Sequence, residues 1–151
     1  MIVIKRTHDM DLVHMIWTNS RLFKYMCDDY SNNPALYTPV DSPYLYYLVP
    51  YINDKPMGVI LFIPNNSITY QVHIGMLPRF WGKMTQEACE LTIEWLKANT
   101  ACKKIMSLTP VNNKIALALA KRCGFVQQGV LTKSILMNGQ LIDQVLTGKE
   151  L

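Results

Sequence analysis

No run of about five or six like charges occurs in this sequence, and no apolar run reaches about 18 residues. The first absence removes a basic nucleic-acid tail, and the second removes a membrane-spanning helix. Cysteine is sparse and scattered: Cys27, Cys89, Cys102 and Cys123 form no Cys-x-x-Cys and have no histidine at zinc-ligand spacing, so no metal site is expected. They read as reduced, mostly buried thiols. Met1 to Arg6 lacks the basic start, apolar stretch and cleavage site of a secretory signal, so the expected location is the cytoplasm. Charge is also low, at 17% against 50% hydrophobic residues, which excludes disorder driven by charge. What charge there is sums to +4 from scattered lysines and arginines, a balance that suits an anionic ligand without naming one. The 151 residues are enough for one domain, 1–151, around a single core.

The chain divides into short segments of changing periodicity. Ile2 to Lys5 is β-branched and strand-like; Thr7 then stands where it would cap a helix with Leu12, Val13, Ile16 and Trp17 on one face. A short helix over Arg21 to Cys27 follows. Asp28 to Pro43 is rich in Asp, Asn, Ser and Pro and reads as a long loop, a place where function often resides. Tyr44 to Ile52 and Met57 to Ile63 are aromatic and β-branched runs around Asn53-Asp54-Lys55-Pro56, a hairpin signal, and Ser67 to Leu77 gives a third strand. From Met84 to Ala98 the apolar residues Met84, Ala88, Leu91, Trp95 and Ala98 recur every three or four positions, as in an amphipathic helix. Lys104 to Leu108 is a short strand. Asn112 or Asn113 caps a helix that Gly124 ends, and Asn138-Gly139 joins Val130–Met137 to Gln140–Thr147 in a final hairpin.

Two constellations could carry chemistry. In Leu77-Pro78-Arg79-Phe80-Trp81-Gly82-Lys83 a glycine turn leads from a strand end into a helix start, where free amides and the helix dipole favour a pyrophosphate; Arg79 and Lys83 add positive charge. An ordinary strand-to-helix turn has the same look. The second, Asn113 to Ala116 followed by Cys123-Gly124-Phe125, is by itself only a helix cap and a helix stop.

Taken together and in this element order, the two resemble the GNAT (Gcn5-related N-acetyltransferase) superfamily. Its phosphate loop, Arg/Gln-x-x-Gly-x-Gly/Ala, looks like Arg79 through Met84, and its Asn-to-Gly-Phe signature looks like Asn113 through Gly124-Phe125. The end of the chain, Asn138-Gly139 to Asp143, is similar to the ribosomal-protein alanine acetyltransferase branch. Val72-His73, Leu77-Pro78 and Asn138-Gly139 through Asp143-Gln144 are similar to small GNAT-like proteins of tailed phages, some labelled head-assembly proteins.

The resemblance implies an α/β (α+β) fold: a mixed, mostly antiparallel sheet of about seven strands, flanked by four helices, with one strand pair splayed apart. It implies acetyl-CoA as co-substrate and direct transfer to an amine acceptor that the sequence does not identify. The donor would contact the Gly75, Met76 and Leu77 strand end, the Arg79, Trp81, Gly82, Lys83, Met84 and Thr85 turn, and Asn113. Met76 and Leu77 would pair with the pantetheine arm through their backbone.

On the strand over Ser67 to Leu77, where relatives often place a basic Glu, this chain offers His73, with Gln71 and Gly75 on the same face. His73 titrates in the range a general base needs, though a strand histidine also serves simply to hydrogen-bond a neighbour. His8 and His14 read as surface or packing residues. Asp28 and Asp29 lie where the family binds its acceptor and would draw an ammonium group, but adjacent aspartates also cap loops. Asp143 would orient the acceptor or a nearby main-chain group. Trp17, Trp81 and Trp95 read as packing anchors.

Two departures stand out. Met84 occupies the second Gly/Ala position of the phosphate loop, a poor residue for positive φ. Ala120 stands where many relatives carry the tyrosine that protonates the departing thiolate. They keep open an alternative: a GNAT-fold phage protein that binds or assembles with a phage or host protein partner in an infected bacterium, with little or no catalysis. A final hairpin exposed at its edge would also allow a homodimer. No cysteine has a histidine partner, so a cysteine nucleophile is not expected.

Overall fold

Tyr47, Leu48 and Val49 are all buried, and so are Val59, Ile60, Leu61 and Phe62. Strands covered on both faces read as continuous apolar runs rather than alternations, which is how these two segments appear in the sequence. A computed structural model describes residues 1–151. In chain order the elements are β1 (Ile2–Arg6), α1 (Met10–Trp17), α2 (Ser20–Met26), β2 (Tyr46–Ile52), β3 (Lys55–Pro56) and β4 (Gly58–Pro64). They continue with β5 (Thr69–Met76), α3 (Lys83–Asn99), β6 (Lys104–Pro110), α4 (Lys114–Arg122), β7 (Val126–Met137) and β8 (Gln140–Glu150). The sheet runs β1-β2-β4-β5-β6-β8-β7, with the two-residue β3 paired to β2 alone. Every neighbouring pair is antiparallel except β5 and β6. This is the expected mixed α/β sheet with four helices, and β3 adds an eighth strand to the seven anticipated.

Strand alternation divides the interior into two cores. Leu48, Ile60, Phe62, Val72 and Met76 pack under Ala88, Cys89, Ile93 and Leu96 of α3. On the opposite face Tyr47, Val49, Val59 and Leu61 meet Val13, Ile16 and Trp17 of α1 and Leu22 of α2. Each such side chain contributes about 1.5–3 kcal/mol by leaving water, so both faces are strongly pinned. A one-residue slip in β2 or β4 would exchange the two sets.

Local signals fix the element ends. Asn138 and Gly139 both take positive φ, 53° and 75°, at the β7–β8 turn, and Gly124 at φ 84° follows the end of α4. Asn113 caps α4 through a bond from the Ala116 amide at 3.2 Å. The cap of α1 is Asp9 and not Thr7: Asp9 Oδ1 accepts from the Leu12 amide at 3.1 Å, while the Thr7 hydroxyl accepts from the Asp9 amide. Thr7 is two residues too early to reach the first free helical donors. No helix is long and apolar enough to cross a membrane.

Between β5 and β6 the chain makes its one parallel crossover, through α3. The pairing covers only Thr69 with Lys104, Tyr70 with Ile105 and Gln71 with Met106. Past Gln71 the strands separate, while β5 stays paired to β4 as far as Met76 and β6 stays paired to β8 as far as Pro110. The separation is therefore local to this pair.

Candidate functional site

Where β5 and β6 part, a cleft of about 380 Å³ opens. Val72, Ile74 and Met76 line it from β5, and Ser107, Leu108 and Thr109 from β6. The Leu77 amide donates to the Met57 carbonyl at 2.9 Å, on the β4 side. Alternation therefore turns the Met76 and Ile74 amides the other way, toward a neighbour strand that is no longer there. The Met76 carbonyl accepts from Trp81 Nε1 at 2.7 Å, which fixes the indole at the mouth of the opening. An extended polar chain laid in the cleft would find the edge hydrogen bonds that β6 leaves unmade.

The same cleft reaches the start of α3, lined there by Trp81, Gly82 and Thr85. Gly82 sits at φ 99°, and a Cβ placed on it would touch nothing within 4 Å. Its glycine is demanded by backbone conformation and not by crowding. No side chain caps this helix and its first turn carries no acid. The first backbone bond of the turn is from Gln86 to the Gly82 carbonyl, at 3.1 Å, which leaves the amides of Lys83, Met84 and Thr85 unpartnered. At the tip of a helix of 17 residues, three free donors and the dipole form an anion cradle. A diphosphate-bearing ligand fits that donor set.

Met84 does not need the positive φ that its motif position suggested. It is the second residue of α3, absent from the positive-φ residues, and its side chain packs against the α3 core. Gly82 alone carries the unusual backbone angle. Lys83 and Arg79 are exposed on the turn, with the Arg79 guanidinium over the Phe80 ring at 4.7 Å.

Other anticipated residues fall outside the cleft. Gly75 faces α1 and α2, where an added Cβ would lie 2.4 Å from Trp17 Nε1 and 2.7 Å from Met26 Sδ. It is a close-packing glycine and does not reach a donor. Leu77 has no free backbone group for a ligand, because its amide bonds to Met57 and its carbonyl accepts from Phe80 at 2.9 Å. Asp29 binds the final hairpin, and Asp143 Oδ1 accepts from the Lys133 amide at 2.8 Å, holding a β7 bulge where Lys133 takes φ 50°. Neither aspartate lines the cleft. Of the three proposed acidic groups only Asp28 does, and its Oδ1 already closes a turn by accepting from the Tyr30 and Ser31 amides.

His73 does line the cleft, from the α1/α2 face of β5. Its ring remains open to water and makes no hydrogen bond within the fold, yet the surrounding walls desolvate it enough to lower its pKa below the ordinary histidine value. That combination yields a neutral, accessible imidazole near neutral pH. Asn113, the cap of α4, and Ala120 within it reach the cleft, so the α4 side presents a methyl group and no hydroxyl at position 120.

Sequence reasoning missed several lining groups. Tyr25 of α2 stands edge-on to Trp81, ring centroids 6.0 Å apart, and is the cleft's one tyrosine. Gln144, Ser107 and Thr109 come from β8 and β6. Single polar residues on strands carry no local signal; only the observed register brings them to the opening. Cys89 and Cys123 also meet at this wall, where a hydrogen bond with the neighbouring Cys123 thiol, and then burial, push the Cys89 pKa up. No group of three or more His, Cys, Asp or Glu is gathered as a metal site.

Residues 12–125 match the acetyltransferase (GNAT) family. Among curated protein sequences none matches significantly. Solved structures do. The spermidine N-acetyltransferase from Vibrio cholerae, in complex with CoA and spermine, superposes with a TM-score of 0.78 at 17% identity, over 99% of this chain and 95% of that one. The ribosomal-protein-S5-alanine acetyltransferase from Vibrio fischeri gives 0.72 at 17% identity, over 99% and 92%. The microcin C7 self-immunity acetyltransferase MccE, in complex with acetyl-CoA and AMP, gives 0.63 at 27% identity, over 72% of this chain and 62% of that one.

Proposed function

The chain belongs to the acetyltransferase (GNAT) family, and from that premise we propose that residues 1–151 form one acyl-CoA-binding domain that transfers an acetyl group from acetyl-CoA to an amine. One observation carries the proposal: β5 and β6 separate after Gln71 directly beside the uncapped start of α3. A ligand with a diphosphate at one end and an amide-bearing arm at the other meets complementary donors along that path. The CoA and acetyl-CoA complexes of two structural neighbours support the same ligand.

When bound, acetyl-CoA supplies a thioester whose acetyl carbon bonds to nitrogen as its bond to sulfur breaks. The chain's own residues handle position and protons. Lys83, Met84 and Thr85 amides hold the diphosphate. The Met76 and Ile74 amides orient the arm. His73, neutral and unbonded, accepts the proton that the attacking amine loses. Tyr25 takes the part of proton donor to sulfur, which Ala120 cannot play. Asn113 keeps its Nδ2 donors free, since its cap uses only Oδ1.

A second reading, binding without turnover in an assembly role, draws on Ala120 at the cleft wall. Thiol release separates the two. The purified chain with acetyl-CoA and a panel of primary amines is expected to release CoA thiol, with a strong loss in His73→Ala and a smaller one in Tyr25→Phe. Saturable acetyl-CoA binding without thiol release from any amine favours the second reading.

A further inference from the structure

Beside the cleft lies a second cavity, of about 250 Å³, to which the transfer reaction above assigns no role. Leu61 and Ile63 of β4 line it together with Trp17, Phe23 and Tyr37. The rings brace one another, Trp17 to Tyr37 at 6.2 Å and Phe23 to Tyr37 at 6.4 Å, so the wall is preformed. Three residues, Met26, Ser31 and His73, line both this cavity and the cleft. His73 therefore stands at their boundary, with the opening between β5 and β6 on one side and an aromatic chamber on the other.

Charge narrows what the chamber can take. Across both cavities Asp28 is the only carboxylate, and Asp29 is spent on the Asn138 and Gly139 amides. A polyamine would bring several ammonium groups to a site with one counter-charge, and burying the others unpaired is costly. The net charge of +4 opposes a polycation further. An apolar cavity of about 150 Å³ suffices for a benzene ring, so this chamber has room for an aromatic or branched aliphatic group and its linker.

We propose that the chamber seats the apolar body of the acceptor, and that the acceptor is a monoamine carrying an aromatic or branched aliphatic group. It rests on the acetyl-transfer proposal and names the acceptor class for that same site. With the body in the chamber, the amine nitrogen lies at the His73 boundary, and Asp28, the one carboxylate lining the adjoining cleft, draws it in as an ammonium ion. The ammonium ion first releases one proton to bulk water; the neutral amine then forms the carbon–nitrogen bond as the carbon–sulfur bond breaks. Its second proton goes to His73, and the sulfur takes one from Tyr25, whose phenol is restored by the His73 proton through solvent.

The test uses the whole chain with 2-phenylethylamine and spermidine as probes. Direct binding is followed by Trp17 fluorescence and by NMR of the His73 ring, and transfer by thiol release with acetyl-CoA. The expected result is saturable 2-phenylethylamine binding that perturbs both residues, and a kcat/KM at least tenfold above that for spermidine. Ile63→Phe, which fills the chamber from the sheet, is expected to raise the 2-phenylethylamine KM tenfold or more while the acetyl-CoA melting shift persists. Phe23→Ala, which opens the wall, gives the same direction if Ile63→Phe melts too low to assay. Preference for spermidine, or 2-phenylethylamine binding that neither variant alters, overturns the assignment. An absent acetyl-CoA melting shift overturns the transfer proposal instead, so the two failures are distinguishable.

Discussion

Oδ2 of Asp29 accepts a hydrogen bond from the Gly139 amide at 2.8 Å, joining the segment after α2 to the tip of the β7–β8 hairpin. Oδ1 accepts from Asn138 at 2.7 Å, and the Asp29 amide donates to the Leu136 carbonyl at 3.0 Å. The clasp ties the loop that carries Asp28 and Ser31 to the far side of the cleft. Asp29→Ala is expected to lower stability by about 1–3 kcal/mol, the usual range for losing charge-assisted bonds to backbone donors. Denaturant unfolding measures the loss, and faster exchange of the Asn138 and Gly139 amides locates it. Unchanged exchange at the hairpin tip would show that the clasp does not form in solution.

Gly75 is held by space. A methyl group there would meet Trp17 and Met26 at under 3 Å, and Trp17 is itself tied to the Val59 carbonyl at 3.3 Å. Gly75→Ala is expected to cost about 1–3 kcal/mol through overpacking and to displace α1 from β5. A melting curve together with Trp17 fluorescence checks both effects.

Gly82 is held by conformation. Gly82→Ala meets no steric neighbour yet must adopt φ 99°, a cost of about 1–3 kcal/mol for a residue with a Cβ. Relief of that strain would rotate the first amides of α3, so acetyl-CoA affinity is expected to fall more than the global stability does. Calorimetry and thermal melts on the same variant compare the two. Equal affinity in the variant would separate Gly82 from the phosphate cradle.

For His73, partial desolvation by the cleft walls lowers the pKa, so the neutral base persists below the ordinary value of about 6.5. The acid limb of kcat/KM is expected below that pH, with a plateau above it, and to vanish in His73→Ala with a residual rate reduced about 10²–10⁴-fold. The stability sign follows from the same shift. Unfolded chains bind the proton more readily, so the His73 contribution is present above the unfolded pKa and is lost as pH falls from there through the lower folded pKa. His73→Ala is expected to flatten that loss in a pH series of melts.

Much of this architecture was legible in the sequence because it rests on local signals. Asn138-Gly139, Gly124 and the period of α3 each identify themselves through backbone conformation or spacing. The turn at Gly82 was readable for the same reason. The error over Met84 arose from motif position; in the fold one glycine carries the positive φ and the helix begins immediately after it. Asp29 and Asp143 illustrate what remained hidden. Their carboxylates read in the sequence either as acceptor ligands or as groups that hold the main chain; the fold shows the second use, with backbone donors that reach Asp29 from 109 and 110 positions away and Asp143 from 10. Gln144, Ser107 and Tyr25 reach the cleft only through register and helix docking, for which single residues give no signal.

The central claim is that the separated β5 edge and the bare tip of α3 together hold the donor. Amide NMR of the full chain during an acetyl-CoA titration tests it most directly. Saturable shifts are predicted at Lys83, Met84 and Thr85 and at Ile74 and Met76, accompanied at 100 times Kd by about 2.7 kcal/mol of added stability. Binding that leaves those five amides unmoved, or no response at millimolar acetyl-CoA, would contradict it.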